Sequence, residues 1–452
     1  MVKLSNKYLK RKSIIILLCI LLTTNLTAQN NFPSREERIY DLSKLWKEIA
    51  YNFVFPETLQ NVNIDSLYFA YLPKVEQVKN NYEYFRVLSA FMAHFNEGHT
   101  RIMATQRPDE PPALECINFG EKIVVGNIAK RKAEIVPIGS EIIKVNNIPV
   151  LEFLNDSVFP YISAANSHWK FDKGVNEMLF GKPQSTVKIT VKTPEGKQAD
   201  IEMKRGVKEE MVETISFSPI NVKNLEGNIG YVHLSSFLPQ HVRHIDSVFL
   251  RAVTQLKNSN GLIIDIRGNR GGITRAWQMV AACLTPSISF QGTTASRKHI
   301  PMYATWGASN APEYKDYKDY YLGVAMEEIE IHPITTNIPE RFHLYNQPIV
   351  IISNSFVGSA TESFLSLMIE TERATVIGSP SAGCNTSPLF FSLSSGFEAM
   401  IAIGKYLCPD KTSSVTTGIL PDIEVHRDYI AYLEGRDNVL ERAIEELRKM
   451  MK

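Results

Sequence analysis

From residue 206 onward, short apolar runs alternate with amphipathic stretches, and no other feature constrains the fold so tightly. GNIGYVHLSSF (227–237), GLIIDIRGN (261–269), QPIVIISNS (347–355) and ATVIGSP (374–380) read as strands. HVRHIDSVFLRAVTQLK (241–257), GITRAWQMVAACL (272–284) and SATESFLSLMIE (359–370) read as helices. Mostly apolar strands need cover on both faces, so the pattern predicts a parallel or mixed sheet layered by helices over residues 206–452.

Two further units precede it. Residues 32–106 carry helical periodicity: EERIYDLSKLWKEIAYNF sets Ile39, Leu42, Leu45, Trp46 and Ile49 on one face, and YEYFRVLSAFMAHF repeats the pattern. The spacing predicts a small helical bundle ending at NEGHT (96–100). RPDEPP (107–112) is turn-rich. Residues 112–205 read as a compact, mostly β module with strands at KIVVGNI, AEIVPIG, SEIIKVNNIPV, STVKITVKT and QADIEMKR, the last two joined by a PEG turn (194–196). The stretch from Phe290 to Phe342 is rich in Tyr and poor in clear strands; it is either a surface loop or the wall of a groove.

The N-terminus reads as an export leader over residues 1–28. Lys3, Lys7, Lys10, Arg11 and Lys12 precede an apolar run from Ile14 to Leu22, and Leu26-Thr27-Ala28 offers a cleavage site. That run is too short to span a bilayer comfortably. The expectation is an exported protein, periplasmic or extracellular, with no membrane span after cleavage. With Lys+Arg 49 against Asp+Glu 48 in 452 residues, no basic excess draws the chain to nucleic acid. Neither a CxxC pair nor HExxH occurs, so no metal and no organic cofactor is expected.

Two segments carry chemistry. In GLIIDIRGNRGG (261–272) a buried strand turns through Gly268, Gly271 and Gly272 into a helix. Glycines at a helix start bare backbone N–H groups that can hold a developing oxyanion. In IVIISNSFVGSATESF (349–364) a second buried strand leads to Ser359 at a helix N-terminus, where the N–H of Ala360 is a further donor. Taken alone, each has a plain alternative: a tight turn, and a capping box between Ser359 and Glu362.

Together, D-I-R-G-N-R-G-G, Ser359 in G-S-A-T-E, ATVIGSPSAG and GILPDIEV (418–425), in that order, resemble the S41 peptidases, which include the C-terminal processing and tricorn-core peptidases. VPIGSEIIKVNNIPV resembles that family's PDZ-like module, and NEGHTR the end of its N-terminal bundle. The resemblance implies a multidomain α/β protein with a crotonase/ClpP-like catalytic domain and a serine nucleophile, Ser359. It implies an oxyanion hole at Gly271 or Gly272 with Ala360, and peptide or protein substrates. One branch takes its base from a Lys at the position of Cys384; the tricorn-like branch takes a His, matched by His99. His99 is therefore the expected base. Lys405 is set aside. No acid precedes Gly418, and Glu97 is not expected to orient His99, so the third triad member is missing. The rival readings are a catalytically impaired peptide-binding protein of the same fold and other acyl chemistry on the same core. Sequence leaves the oligomeric state open.

Overall fold

The computed structural model describes residues 32–213, 218–238, 245–285, 293–309, 311–330, 345–407 and 413–452. The expected leader lies outside them. The bundle comprises α1 (Arg35–Asn52), α2 (Pro56–Asn61), α3 (Ile64–Gln77) and α4 (Asn81–Ala93), followed by β1 (Arg101–Ala104). Ser34 and Glu37 close a reciprocal capping box at the start of α1. Leu42, Leu45 and Ile49 of α1 are fully buried, while Ile39 and Trp46 lie at the margin.

The middle unit holds β2 (Leu114–Phe119), β3 (Lys122–Ile128), β4 (Glu141–Val145), β5 (Ile148–Pro149), α5 (Val150–Phe153), α6 (Ser167–Glu177), β6 (Thr186–Lys192) and β7 (Gln198–Lys204). Its sheet runs β2-β3-β4-β6-β7, with β5 on β4. AEIVPIG is not a strand. The chain there makes a short 3-10 turn at Lys130–Lys132 and further turns, burying Val136; Pro137, which has no N–H, cannot donate to a ladder. The PEG turn forms as expected, with Gly196 at φ 89°.

The remaining elements are β8 (Ile220–Leu225), β9 (Ile229–Leu234), α7 (Ile245–Gln255), β10 (Gly261–Asp265), α8 (Thr274–Ala282), β11 (Thr293–Arg297), α9 (Pro301–Gly307), α10 (Lys318–Leu322), β12 (Met326–Glu330), β13 (Ile349–Ser353), α11 (Ala360–Glu370), β14 (Thr375–Gly378), β15 (Thr386–Ser392), β16 (Phe397–Leu407), β17 (Ile423–Glu424), α12 (Tyr429–Leu433) and α13 (Asn438–Met450). A six-stranded sheet runs β17-β14-β13-β10-β9-β8, parallel except for the β8–β9 hairpin. Its strands alternate sides with period two. Leu262, Ile264, Ile349 and Ile351 enter the core under α8 and α11, while Ile263, Val350 and Ile352 pack on Val439, Ala443 and Leu447 of α13. Two apolar faces explain the unbroken apolar runs in the sequence.

A second, antiparallel sheet runs β1-β16-β11-β12, with β15 also on β16. Strand β1 pairs with β16 in the register Arg101↔Met400 to Ala104↔Phe397. Phe397, Ala399, Ile401 and Ala402 of β16 lie in the same apolar core as α1 and α4, so the bundle closes over this sheet. The Tyr-rich stretch contributes β11, β12 and two short helices. Tyr303, Trp306 and Tyr317 stack on one another there and line neither of the cavities described below. Among the described residues, Cys116 and Cys384 are free thiols and the Cys283 Sγ donates to the Met279 carbonyl (3.1 Å); Cys408 lies outside them.

Candidate active site

Strands β10 and β13 are parallel neighbours, and the turns that leave their carboxyl ends meet at the crevice where open α/β sheets bind ligands. Ser359 stands at the N-terminus of α11 with φ 56° and ψ −129°, a conformation that costs a non-glycine residue about 1–3 kcal/mol. Two buried side chains hold it. Glu362 accepts the Ser359 N–H (3.1 Å), and its amide donates to the Ser359 carbonyl (2.8 Å). Asn269, fully buried, binds the glycine turn to this helix start. Its Oδ1 accepts from Gly271 N (3.1 Å) and Thr361 Oγ1 (2.8 Å), its Nδ2 donates to Leu234 O (3.0 Å), and its carbonyl accepts from Gly358 N (3.2 Å).

Glycine is required at position 271. A Cβ there would stand 2.8 Å from the Ser359 Cβ and 3.0 Å from the Ala360 nitrogen. The Gly271 amide is already committed to Asn269, which corrects the expectation that it donates to an oxyanion; its part is to let the turn come close. The amides of Gly272 and Ala360 donate to no acceptor among the described residues. Both residues line, with Ser359, Asn385 and Thr386, a cleft of about 260 Å3. Asn385 adds a further donor: its buried Nδ2 has no partner among the described residues, while its Oδ1 accepts from Ser363 (3.1 Å).

His99 is buried, and its Nδ1 lies 2.7 Å from Thr386 Oγ1. With Glu97 ionised, that hydroxyl donates to Glu97 Oε1 (3.0 Å), the ring donates from Nδ1, and Nε2 keeps its lone pair. Among the described residues no hydrogen bond joins His99 directly to Ser359; they meet at Thr386, which holds the ring and lines the serine's cleft. Glu97, set aside on sequence, is thus tied to His99 through one hydroxyl. Thr386 had no sequence signal, because nothing local marks a strand-start threonine as a partner of a residue nearly three hundred positions earlier.

Burial, then the positive charge of Arg101, lowers the His99 pKa to about 3. Burial raises Glu97, against hydrogen bonds from the His99 amide, Thr100 and Thr386. Burial likewise pushes Glu362 up to about 7, opposed by the Ser381 hydroxyl and the amides of Gly383, Cys384 and Ser359. These contacts pin the Ser381–Cys384 loop beside the Ser359 turn. Cys384 packs its Sγ against Gly358, and burial, then Glu362 and Glu97, hold its thiol well above the usual range. A protonated buried thiol is no base, whatever stands at that position in relatives. Lys405 lies over the Phe55 ring, 5.2 Å from its centroid. Asp265 and Arg267 of the glycine-turn motif are structural, tying β10 to Asp437 at the cap of α13.

Among the described residues no His, Cys, Asp or Glu cluster has metal-site geometry, and no helix is long and apolar enough to cross a membrane. The arrangement can seat a carbonyl beside a serine hydroxyl with two free amides for its oxygen.

The model of peptidase family S41 matches residues 228–425, and that of the tricorn protease C1 domain matches residues 34–93. The chain is 22% identical over 399 residues to the carboxyl-terminal-processing protease of Picosynechococcus sp., covering 86% of this chain and 84% of that one. It is 20% identical over 383 residues to carboxyl-terminal-processing peptidase 1, chloroplastic, of Arabidopsis thaliana, covering 81% and 66%. Mature CPAF, solved in complex with lactacystin, has the same fold, with TM-score 0.68 at 13% identity over 92% of this chain and 98% of that one. Two family models in the order of the chain, similarity to processing proteases over most of its length and a shared fold agree: the chain belongs to peptidase family S41, and it is a serine-type peptidase.

Proposed function

We propose that this protein is an exported endopeptidase in which Ser359 is the nucleophile and His99 its general base. His99 Nε2 takes the Ser359 proton, and Oγ attacks a substrate carbonyl. The Gly272 and Ala360 amides receive the oxyanion, and the imidazolium returns the proton to the leaving amine. Water, activated by the same ring, hydrolyses the acyl-enzyme. Thr386 and Glu97 hold the ring in its Nδ1-protonated tautomer. The middle module acts as a PDZ-like unit to whose sheet edge a peptide adds as a strand. The core is crotonase/ClpP-like, and residues 1–28 direct export. The observation that carries this reading is the strained Ser359 backbone, held against a glycine turn with two unused amides.

An active-site serine probe tests it. Labelling at Ser359, lost in Ser359→Ala, is the expected result; a folded protein that resists the probe overturns it. That outcome would support the second reading, a peptide-binding protein of the same fold, which the lack of a direct His99–Ser359 hydrogen bond favours.

A further inference from the structure

A larger cavity of about 500 Å3 lies between α4, β1, α6 and the middle module. Seven of its lining residues are Lys or Arg and two are acidic. Arg107 pairs with both carboxylates, Asp109 (2.8 Å) and Glu177 (3.3 Å), and the Glu177 charge also acts on Lys173, so two carboxylates serve seven cations. Arg101, Lys173 and Arg270 form no ion pair among the described residues. Arg270 rests over the Phe356 ring, and Lys173 reaches the Ser163 carbonyl at 3.5 Å. The three charges feel one another: burial, and then Arg101, Arg270 and Arg107, lower the Lys173 ammonium to about 8, Glu177 opposing. An excess of like charge around a half-open cavity costs free energy that an entering anion offsets.

This cavity adjoins the chemistry. Arg270 directly precedes Gly271, which packs on Ser359, and Arg101 lies two residues beyond His99. We propose that the cavity receives acidic side chains of the peptide substrate, Asp or Glu near the scissile bond, held by Arg101, Lys173 and Arg270. The inference deepens the peptidase reading and rests on Ser359 being the reacting centre. It also gives the acidic side chain an effect on the reaction. An anion beside Arg101 offsets the positive field that opposes protonation of His99, so the substrate itself strengthens the base.

Binding to the Ser359→Ala protein tests the cavity without turnover. Short Ala/Val peptides carrying Glu or Gln at successive positions, each with a free or an amidated C-terminus, are compared by fluorescence anisotropy at low and high salt. The expected result is that Glu peptides bind roughly tenfold or more tighter than Gln peptides at low salt, and that the gap narrows with salt. Arg270→Gln, a change at an exposed position, should shrink the gap, as should Lys173→Met. Equal binding of Glu and Gln peptides overturns the proposal. So does a preference that follows only the free C-terminus, or one that survives all three of Arg270→Gln, Lys173→Met and Arg101→Met. Serine-probe labelling of the unmutated protein is read separately, so failure of the nucleophile assignment is not confused with failure of the cavity.

Discussion

At the residue scale, the site depends on side chains that each satisfy several partners. Thr386 is the clearest case, since one hydroxyl both accepts from His99 and donates to Glu97. Thr386→Val keeps the shape and removes both bonds. The expected outcome is a kcat lower by roughly ten- to a hundredfold with little change in KM, in steady-state assays of a cleaved peptide; an unchanged kcat would remove the relay from the mechanism. Asn385 offers a buried donor with nothing to bind among the described residues. Asn385→Ala should lower kcat/KM roughly tenfold or more, because the Nδ2 bond forms only with substrate, and should cost about 1 kcal/mol of stability through the lost Ser363 bond. The His99 ring gives a pH signature. Its folded pKa, lowered from 6.5 to about 3, means that the unfolded chain takes up a proton that the folded one refuses as pH falls below 6.5. Stability therefore falls with pH in that window. The stability advantage of the unmutated protein over His99→Gln should shrink by about 2 kcal/mol between about pH 7 and about pH 5, measured by denaturant unfolding. A flat difference would show that the ring is not held neutral by its surroundings.

At the element scale, two strand-turn-helix units are held together by buried side chains in their turns. The Asn269 side chain makes three hydrogen bonds, to the helix start after Ser359, to its own turn and to β9. Asn269→Ala should cost about 2–4 kcal/mol in unfolding free energy and abolish serine-probe labelling even where the protein remains folded. Labelling at the normal rate would mean that the turn keeps its shape without the asparagine. The same units show what can be read from a chain. The apolar runs 261–265 and 349–353, the glycines and Ser359 before a helical stretch stand together in the sequence, so strand, turn and the place of Ser359 at a helix start were all legible there. Asn269 and Glu362 were visible too, but only as a turn residue and a helix cap. Their wider bonding depends on a strand brought alongside by the sheet. Residues 133–139 misled because their β-prone composition is interrupted by Pro137 and turns. Strands β11 and β12 were hidden because Thr, Ser and Glu on a half-exposed sheet lack an apolar signature.

At the scale of the whole molecule, the helical bundle is not a separate body. Phe397, Ala399 and Ile401 fill its core, and Val54 donates to the carbonyl of Ala402. Calorimetry should therefore show the bundle and the antiparallel sheet melting in one transition. A distinct early transition assigned to residues 35–93 would contradict that shared core. The middle module also reaches the site. Asn166 and His168 hold the carbonyls of Ala382 and Ser381, in the loop that Glu362 grips from the other side. The order of the three units was legible in the sequence; their shared cores were not, because local periodicity shows that a face is apolar but not what covers it.

The pairing of β1 with β16 sets a timetable. The ring at position 99 is made early and its hydroxyl partner at 386 late, and the strand that carries the chain past the ring finds its neighbour only once residues 397–400 exist. A chain made only as far as residue 385 therefore holds neither an oriented His99 ring nor a closed bundle. The chemistry proposed for this site waits until residues 386–400 have been made.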